Sequence, residues 1–110
     1  MATQQEVADI FTVMATRLIP EKAEGVNAVI QFNLSGDNGG LFWLKIAEGV
    51  CESGAGQVES PKMTLKAAAD DWYAVSTGQM NAMQAFMSGK IKIEGDMGMA
   101  MKLQTMFAQQ

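Results

Sequence analysis

The sequence predicts an α+β domain: a five-stranded, mainly antiparallel sheet with helices packed on one face. Two observations carry that expectation. Apolar residues recur at every second position in segments between residues 28 and 65 and again at 90–94, whereas around 4–19, 67–77, 81–88 and 97–108 they recur at helical spacing. Strands are thus grouped early and helices late, an order that lays helices over one face of a sheet. No composition shift, linker, internal repeat or low-complexity stretch divides the chain, so residues 1–110 are read as one domain.

Taken in order, Thr3 and Glu6 have the spacing of a capping box, in which each side chain satisfies the other residue's backbone N–H. Val7, Ile10, Phe11, Met14 and Leu18 follow at helical intervals and Pro20 ends the run, predicting an amphipathic helix over 4–19. Beyond Gly25 the period changes to two. Ala28, Ile30, Phe32 and Leu34 alternate with Asn27, Val29, Gln31, Asn33 and Ser35, as in a half-buried antiparallel strand. The cluster Gly36-Asp37-Asn38-Gly39-Gly40 is a turn, and Leu41–Ala47 a second strand. Gly49 breaks it, and a weaker strand spans roughly 50–58. Ser60-Pro61 turns the chain into a short fourth strand at 63–65.

From Ala67 the pattern is helical. Asp70 and Asp71 sit in the first turn, where the helix dipole favours acids, and Trp72, Tyr73 and Val75 form the apolar side. Gly78 fits the C′ position that stops this helix. A further helix spans about 81–88, accompanied by Met80, Met83, Phe86 and Met87 and closed by Gly89. Lys90-Ile91-Lys92-Ile93-Glu94 alternates as a fifth strand, and Asp96 is the expected N-cap of a final helix over 97–108.

Composition excludes several kinds of chemistry. Net charge is −4, concentrated in the first half, and no basic stripe offers the electrostatic footprint that nucleic acid requires. No apolar run approaches membrane-spanning length and the first residues lack the features of a signal peptide, which predicts no integral membrane association and a cytoplasmic location. With no histidine and one cysteine, Cys51, there is neither a zinc ligand set nor a base to activate a thiol. Asp70 and Asp71 are adjacent on a helix, diverge, and do not pair as acid and base. The glycines at 36–40 lack the spacing and lysine of a phosphate loop. Neither catalytic residues, nor a metal, nor a cofactor are expected.

Methionine is the unusual residue. Ten are present, and Met80, Met83, Met87, Met97, Met99, Met101 and Met106 lie in the last third. The final helix carries one stripe of Met97, Ala100, Met101 and Gln104 and a second of Met99, Leu103, Met106 and Phe107. Covering a sheet needs only one stripe, so the other faces a ligand, another protein or more core. Any one methionine is well explained as core. A small core seldom needs so many, because their flexibility specifies packing poorly.

The run Ser88-Gly89-Lys90-Ile91-Lys92-Ile93-Glu94-Gly95-Asp96-Met97-Gly98-Met99-Ala100-Met101-Lys102-Leu103-Gln104 closely resembles the signature of sterol carrier protein 2 domains. Thr77-Gly78 and Ala85-Phe86 are similar to that family's upstream helix. Phe32, Leu34 and the glycine-rich turn before Trp43 resemble its first hairpin more loosely, and the likeness spans about 5–108. The resemblance implies helices packed across one side of a five-stranded sheet. It also implies an apolar tunnel between sheet and helices that takes fatty acid, fatty acyl-CoA or sterol-like lipids, in a carrier or substrate-presenting module without catalysis of its own.

The residues expected to line that tunnel are Phe32, Trp43, Trp72, Val75, Met80, Met83, Phe86, Met87, Ile91, Ile93, Met97 and Met101, with Gln104 as a polar contact inside it. Lys90, Lys92 and Lys102 are candidates for a carboxylate or phosphate at its mouth, the first two being better explained as a solvated strand face. The alternative is an interaction module, whose second apolar stripe is buried in a homodimer or against a lipid-metabolising enzyme. The chain departs from the family in four ways. Asp96 stands where Asn is usual, and Ala68 where a Ser-like cap is common. Glu6 and Asp9 make the first helix acidic where membrane-docking members are basic, and the last residues lack a peroxisomal Ser-Lys-Leu-like signal, which points to a prokaryotic cytoplasmic member and away from sterol.

Overall fold

A computed structural model describes residues 2–106, without the side chains of Gln104 and Thr105. It contains five strands, β1 (Ala28–Ser35), β2 (Gly40–Ala47), β3 (Val50–Ala55), β4 (Met63–Ala68) and β5 (Ile91–Gly95). The helices are α1 (Gln4–Thr16), α2 (Ala69–Ser76), α3 (Ala82–Met87) and α4 (Met97–Met106), with one 3₁₀ turn at Pro20–Lys22. The strands form one sheet in the order β3-β2-β1-β4-β5, in which every neighbouring pair is antiparallel except β1 and β4.

Strand alternation decides what lies beneath the helices. Ile30, Phe32 and Leu34 of β1 share their face with Leu44 and Ile46 of β2, with Met63, Leu65 and Ala67 of β4 and with Ile91 and Ile93 of β5. Four aromatic rings fix α1 and α2 over that face. Phe11 stacks on Phe42 at 4.6 Å and lies 5.0 Å from Phe32, whose ring is 5.4 Å from that of Trp72. Such pairs add about 0.5–1.5 kcal/mol each beyond the area they bury.

Three element boundaries differ from expectation. Helix α1 ends at Thr16 and not near residue 19. The Pro20 ring would collide with the Thr16 carbonyl were the helix continued, and the Ile19 N–H instead donates to the Met106 carbonyl of α4. Strand β4 extends to Ala68, so Ala67 is a strand residue and α2 starts at Ala69 with no side-chain cap. Strand β3 stops at Ala55 because the chain there leaves the edge of the sheet for its far side. The segment after Ala55 runs across the face opposite the helices to reach β4. Gln31, fully buried on that face, ties it down. Its Nε2 donates to the Gly56 carbonyl and to Asn33 Oδ1, and its Oε1 accepts from the Val58 N–H. Gln31→Leu strands these groups, and a stability loss of about 2–3 kcal/mol is expected in urea unfolding. An unchanged midpoint would show that the crossing segment holds by other means.

The capping box forms as read. Thr3 Oγ1 accepts from the Glu6 N–H at 3.0 Å and the Thr3 N–H donates to Glu6 Oε1 at 2.9 Å. The two-residue β2–β3 turn has positive φ at both Glu48 and Gly49, the backbone pattern of a type I′ hairpin. Asp96 caps α4 by accepting the Met99 N–H at 3.1 Å, with Lys62 3.5 Å away. The Met99 N–H above all, with the Gly98 N–H and Lys62, holds the Asp96 carboxyl below its ordinary 3.8. A depressed folded value means that this contribution is complete above the unfolded value and is lost as pH falls through the folded one. Asp96→Asn keeps an acceptor without titrating. Its melting temperature is therefore expected to fall less steeply than the parent's below about pH 4, and parallel curves would refute the role of the carboxylate.

Candidate functional site

Strand β5 is covered by the two helices α3 and α4. Helix α3 packs on α2 and β5, while α4 packs on β4, β5 and the 3₁₀ turn. Each is placed by a local device. Asn81 caps α3 by accepting the Gln84 N–H at 3.1 Å, and Gly89, at φ +82°, releases the chain from α3 into β5. The Asp96 cap starts α4 directly after β5.

Helix α4 resolves which of its stripes faces inward. Met99, Ala100, Leu103 and Met106 are buried, so the inner stripe is the one without a polar residue. Met97 and Met101, expected inside, are 47% and 70% exposed. On α3 only Ala85 is buried, while Met83, Phe86 and Met87 are 47%, 37% and 78% exposed. The two helices therefore present similar outer faces, each with a methionine pair four residues apart, Met83 with Met87 and Met97 with Met101. Between them on β5, Ile91 is buried and Ile93 half-buried.

Of the other expected residues, Phe32 and Trp72 are buried together under α2, and Val75 and Met80 pack half-buried against the same core. Trp43 does not join them. It pairs with Gln31 on one side and Gly54 on the other, on the face of the sheet turned away from the helices. Its ring lies so close over Gly54 that a Cβ there would overlap it. The cue was its parity with Lys45, a charge that belongs on a solvent face. The Gln104 side chain and Phe107 lie outside the described residues. Two residues that mattered were not anticipated. Gln31 was read as the solvent side of β1, and Trp72 was read only as an apolar wall. Its Nε1 is buried and has no hydrogen-bond partner among the described residues, an uncommon state for an interior polar group.

The chemistry elsewhere is quiet. Burial, with Glu52 beside it, pushes the Cys51 thiol up to about 11, so it is protonated at neutral pH and a poor nucleophile. Glu6 accepts from the Tyr73 hydroxyl at 3.1 Å, which raises the tyrosine and helps to lower the carboxyl. Among the described residues no three His, Cys, Asp or Glu side chains gather as a metal set, and no helix is long and apolar enough to cross a membrane. Two open clefts mark the surface. One, of about 370 Å³, lies between α1 and α2 beside Glu6, Asp70 and Tyr73. The other, of about 430 Å³, lies at one end of the sheet. Neither is lined by residues of α3 or α4.

Comparison with known proteins adds three findings. The pattern of the SCP-2 sterol transfer family matches residues 12–108. Hydroxysteroid dehydrogenase-like protein 2 of Mus musculus is 32% identical over 104 residues, 94% of this chain and 21% of that protein. The chain spans about a fifth to a quarter of the length of the curated relatives it matches. Among solved structures, the sterol carrier protein domain 2 of Helicoverpa armigera has a TM-score of 0.70 at 28% identity, over 92% of this chain and 81% of that one. Palmitated SCP2L2 of Aedes aegypti has a TM-score of 0.79 at 19% identity, over 98% and 97%, a likeness of fold alone.

Proposed function

This chain belongs to the SCP-2 sterol transfer family, and we propose that it binds and carries a single-chain lipid, a fatty acid or fatty acyl-CoA in preference to a sterol, between its sheet and helices α3 and α4, with no catalysis of its own. The observation that carries this reading is the outer faces of α3 and α4, where four methionines and Phe86 stand exposed beside the half-covered strand β5. Methionine adapts to irregular apolar shapes, so a rim of it suits an opening that must admit a chain and close on it. The unpartnered Trp72 Nε1 supports the reading from inside, because a lipid carboxyl or ester oxygen is an acceptor that would satisfy it.

Apolar contact alone is enough for useful affinity. A sixteen-carbon chain gains roughly 12 kcal/mol on full burial, at about 0.8 kcal/mol per methylene. Association costs of about 4–15 kcal/mol consume much of that; at the low end about 8 kcal/mol remains, a dissociation constant of about 1 μM. A second reading uses the same rim to present lipid to an enzyme. It is favoured by the relatives, in which the matched region is a minor share of a larger, dehydrogenase-like protein. Native mass spectrometry of the protein from its own host tests both. A mass increment matching one lipid, with one-to-one uptake of a fluorescent fatty acid after delipidation, is expected. A lipid-free protein that takes up no fatty acid overturns carriage, and co-purification with a stoichiometric enzyme identifies the presenting role.

A further inference from the structure

We infer that the cleft at the end of the sheet is a binding site for a phosphate monoester, separate from the methionine rim and independent of whether lipid enters there. The chain is acidic overall and has only eight basic residues. Three of them, Lys66, Lys90 and Lys92, nevertheless line this one cleft of about 430 Å³. Lys66 and Lys92 are direct cross-strand partners on β4 and β5, so their side chains leave the same face of the sheet side by side. Like charges placed directly opposite work against strand pairing. Only one of the three is compensated, by the Lys66–Glu94 ion pair at 2.9 Å. Lys90 and Lys92 have no acidic partner among the described residues.

The remaining lining fits the same ligand. Asn33 spends its Oδ1 on Gln31, which leaves its amide N–H groups as donors, and Ser35 supplies a hydroxyl that makes, among the described residues, one long 3.5 Å bond to a backbone carbonyl. Three lysines set against Glu94 leave two positive charges, which match the nearly two negative charges of a phosphate monoester at neutral pH. A carboxylate would neutralise one of them. The cleft is larger than a bare phosphate needs, and Leu41, an exposed leucine on its wall, offers apolar contact to whatever the phosphate is attached to. The same group occurs on soluble phosphorylated metabolites and on the head of phosphatidic acid, and the cleft's chemistry recognises what the two share.

The test titrates the whole protein with hexyl phosphate, and separately with phosphatidylcholine vesicles with and without phosphatidic acid, following ¹H–¹⁵N shifts and vesicle co-sedimentation. Saturable shifts clustered at Asn33, Ser35, Lys66, Lys90 and Lys92 are expected. Lys90→Gln with Lys92→Gln should weaken binding at least tenfold. Lys22→Gln with Lys45→Gln, which removes the same charge elsewhere, should change it less than twofold. All four lysines lie on the exposed surface, so melting curves should confirm intact folding. Binding of hexyl phosphate alone assigns a soluble ligand, and binding of phosphatidic acid vesicles assigns a lipid head group. No saturable binding of either probe, or equal losses in the two double variants, overturns the site.

Discussion

Replacing Phe32 with alanine is expected to lower the unfolding free energy by about 3–5 kcal/mol, the usual cost of truncating a buried aromatic side chain. Phe32 is fully buried at the centre of β1, between the Phe11 ring at 5.0 Å and the Trp72 ring at 5.4 Å. Its removal leaves a void that α1 and α2 cannot both close, because α1 is held by Phe11 stacked on Phe42 and α2 continues directly from β4. A domain of this size has only about 5–15 kcal/mol in total, so the variant should lie near the edge of folding. Urea denaturation of delipidated protein measures it. A loss under about 1 kcal/mol would mean that Phe32 borders empty space and not packed rings. The proposed lipid site would then reach to the centre of the sheet and not be confined to the neighbourhood of β5.

How far the sequence foretold this arrangement depends on whether the deciding interaction is local. Strands β1 and β2 were legible because burying one face of a sheet imposes a period of two, and the caps at Thr3 and Asp96 because each involves residues only three positions apart; the cap at Asn81 is equally local but was read as part of its helix. The extent of β4 was not. Its second half, Lys66-Ala67-Ala68, reads as the start of a helix, and only pairing with β1 on one side and β5 on the other keeps it extended. Gln31 looked like a solvent-facing residue because the segment that buries it lies 25 and more positions along the chain.

The candidate site was legible in its elements and not in its orientation. Helical spacing showed that α4 carries two apolar stripes, yet spacing is silent on which one meets the sheet. Only the packed structure decides it, by burying Met99, Leu103 and Met106 and leaving Met97 and Met101 exposed. Trp43 was misplaced for a different reason. Its size suggested an interior role, while the parity of its strand had already put it beside Lys45.

Substituting one methionine on each side of the rim, Met87→Glu together with Met101→Glu, is expected to raise the dissociation constant for a fluorescent fatty acid at least tenfold. Both side chains are largely exposed, at 78% and 70%, so little folded-state packing is lost, and substitutions of this kind usually alter stability by no more than about 0.5 kcal/mol. The effect on binding has two parts. Each glutamate takes adaptable apolar contact from the emerging chain, where a buried methylene is worth about 0.8 kcal/mol. Each also sets a carboxylate beside an anionic ligand, a repulsion of about 1–4 kcal/mol at contact distance between water-like and surface-like dielectric. Since tenfold corresponds to about 1.4 kcal/mol, either part nearly suffices. Met87→Gln with Met101→Gln should give a smaller loss, because it removes contact without adding charge, and Met87→Leu with Met101→Leu should bind nearly as the parent does. Gln57→Glu, placed on the exposed segment that crosses the far side of the sheet, adds one such charge away from the rim and should leave binding unchanged. Equal affinity of the glutamate pair and the parent would remove the lipid from the proposed site at the outer faces of α3 and α4. The exposed methionines would then be surface seeking a protein, and the dimer or enzyme contact would become the reading to pursue.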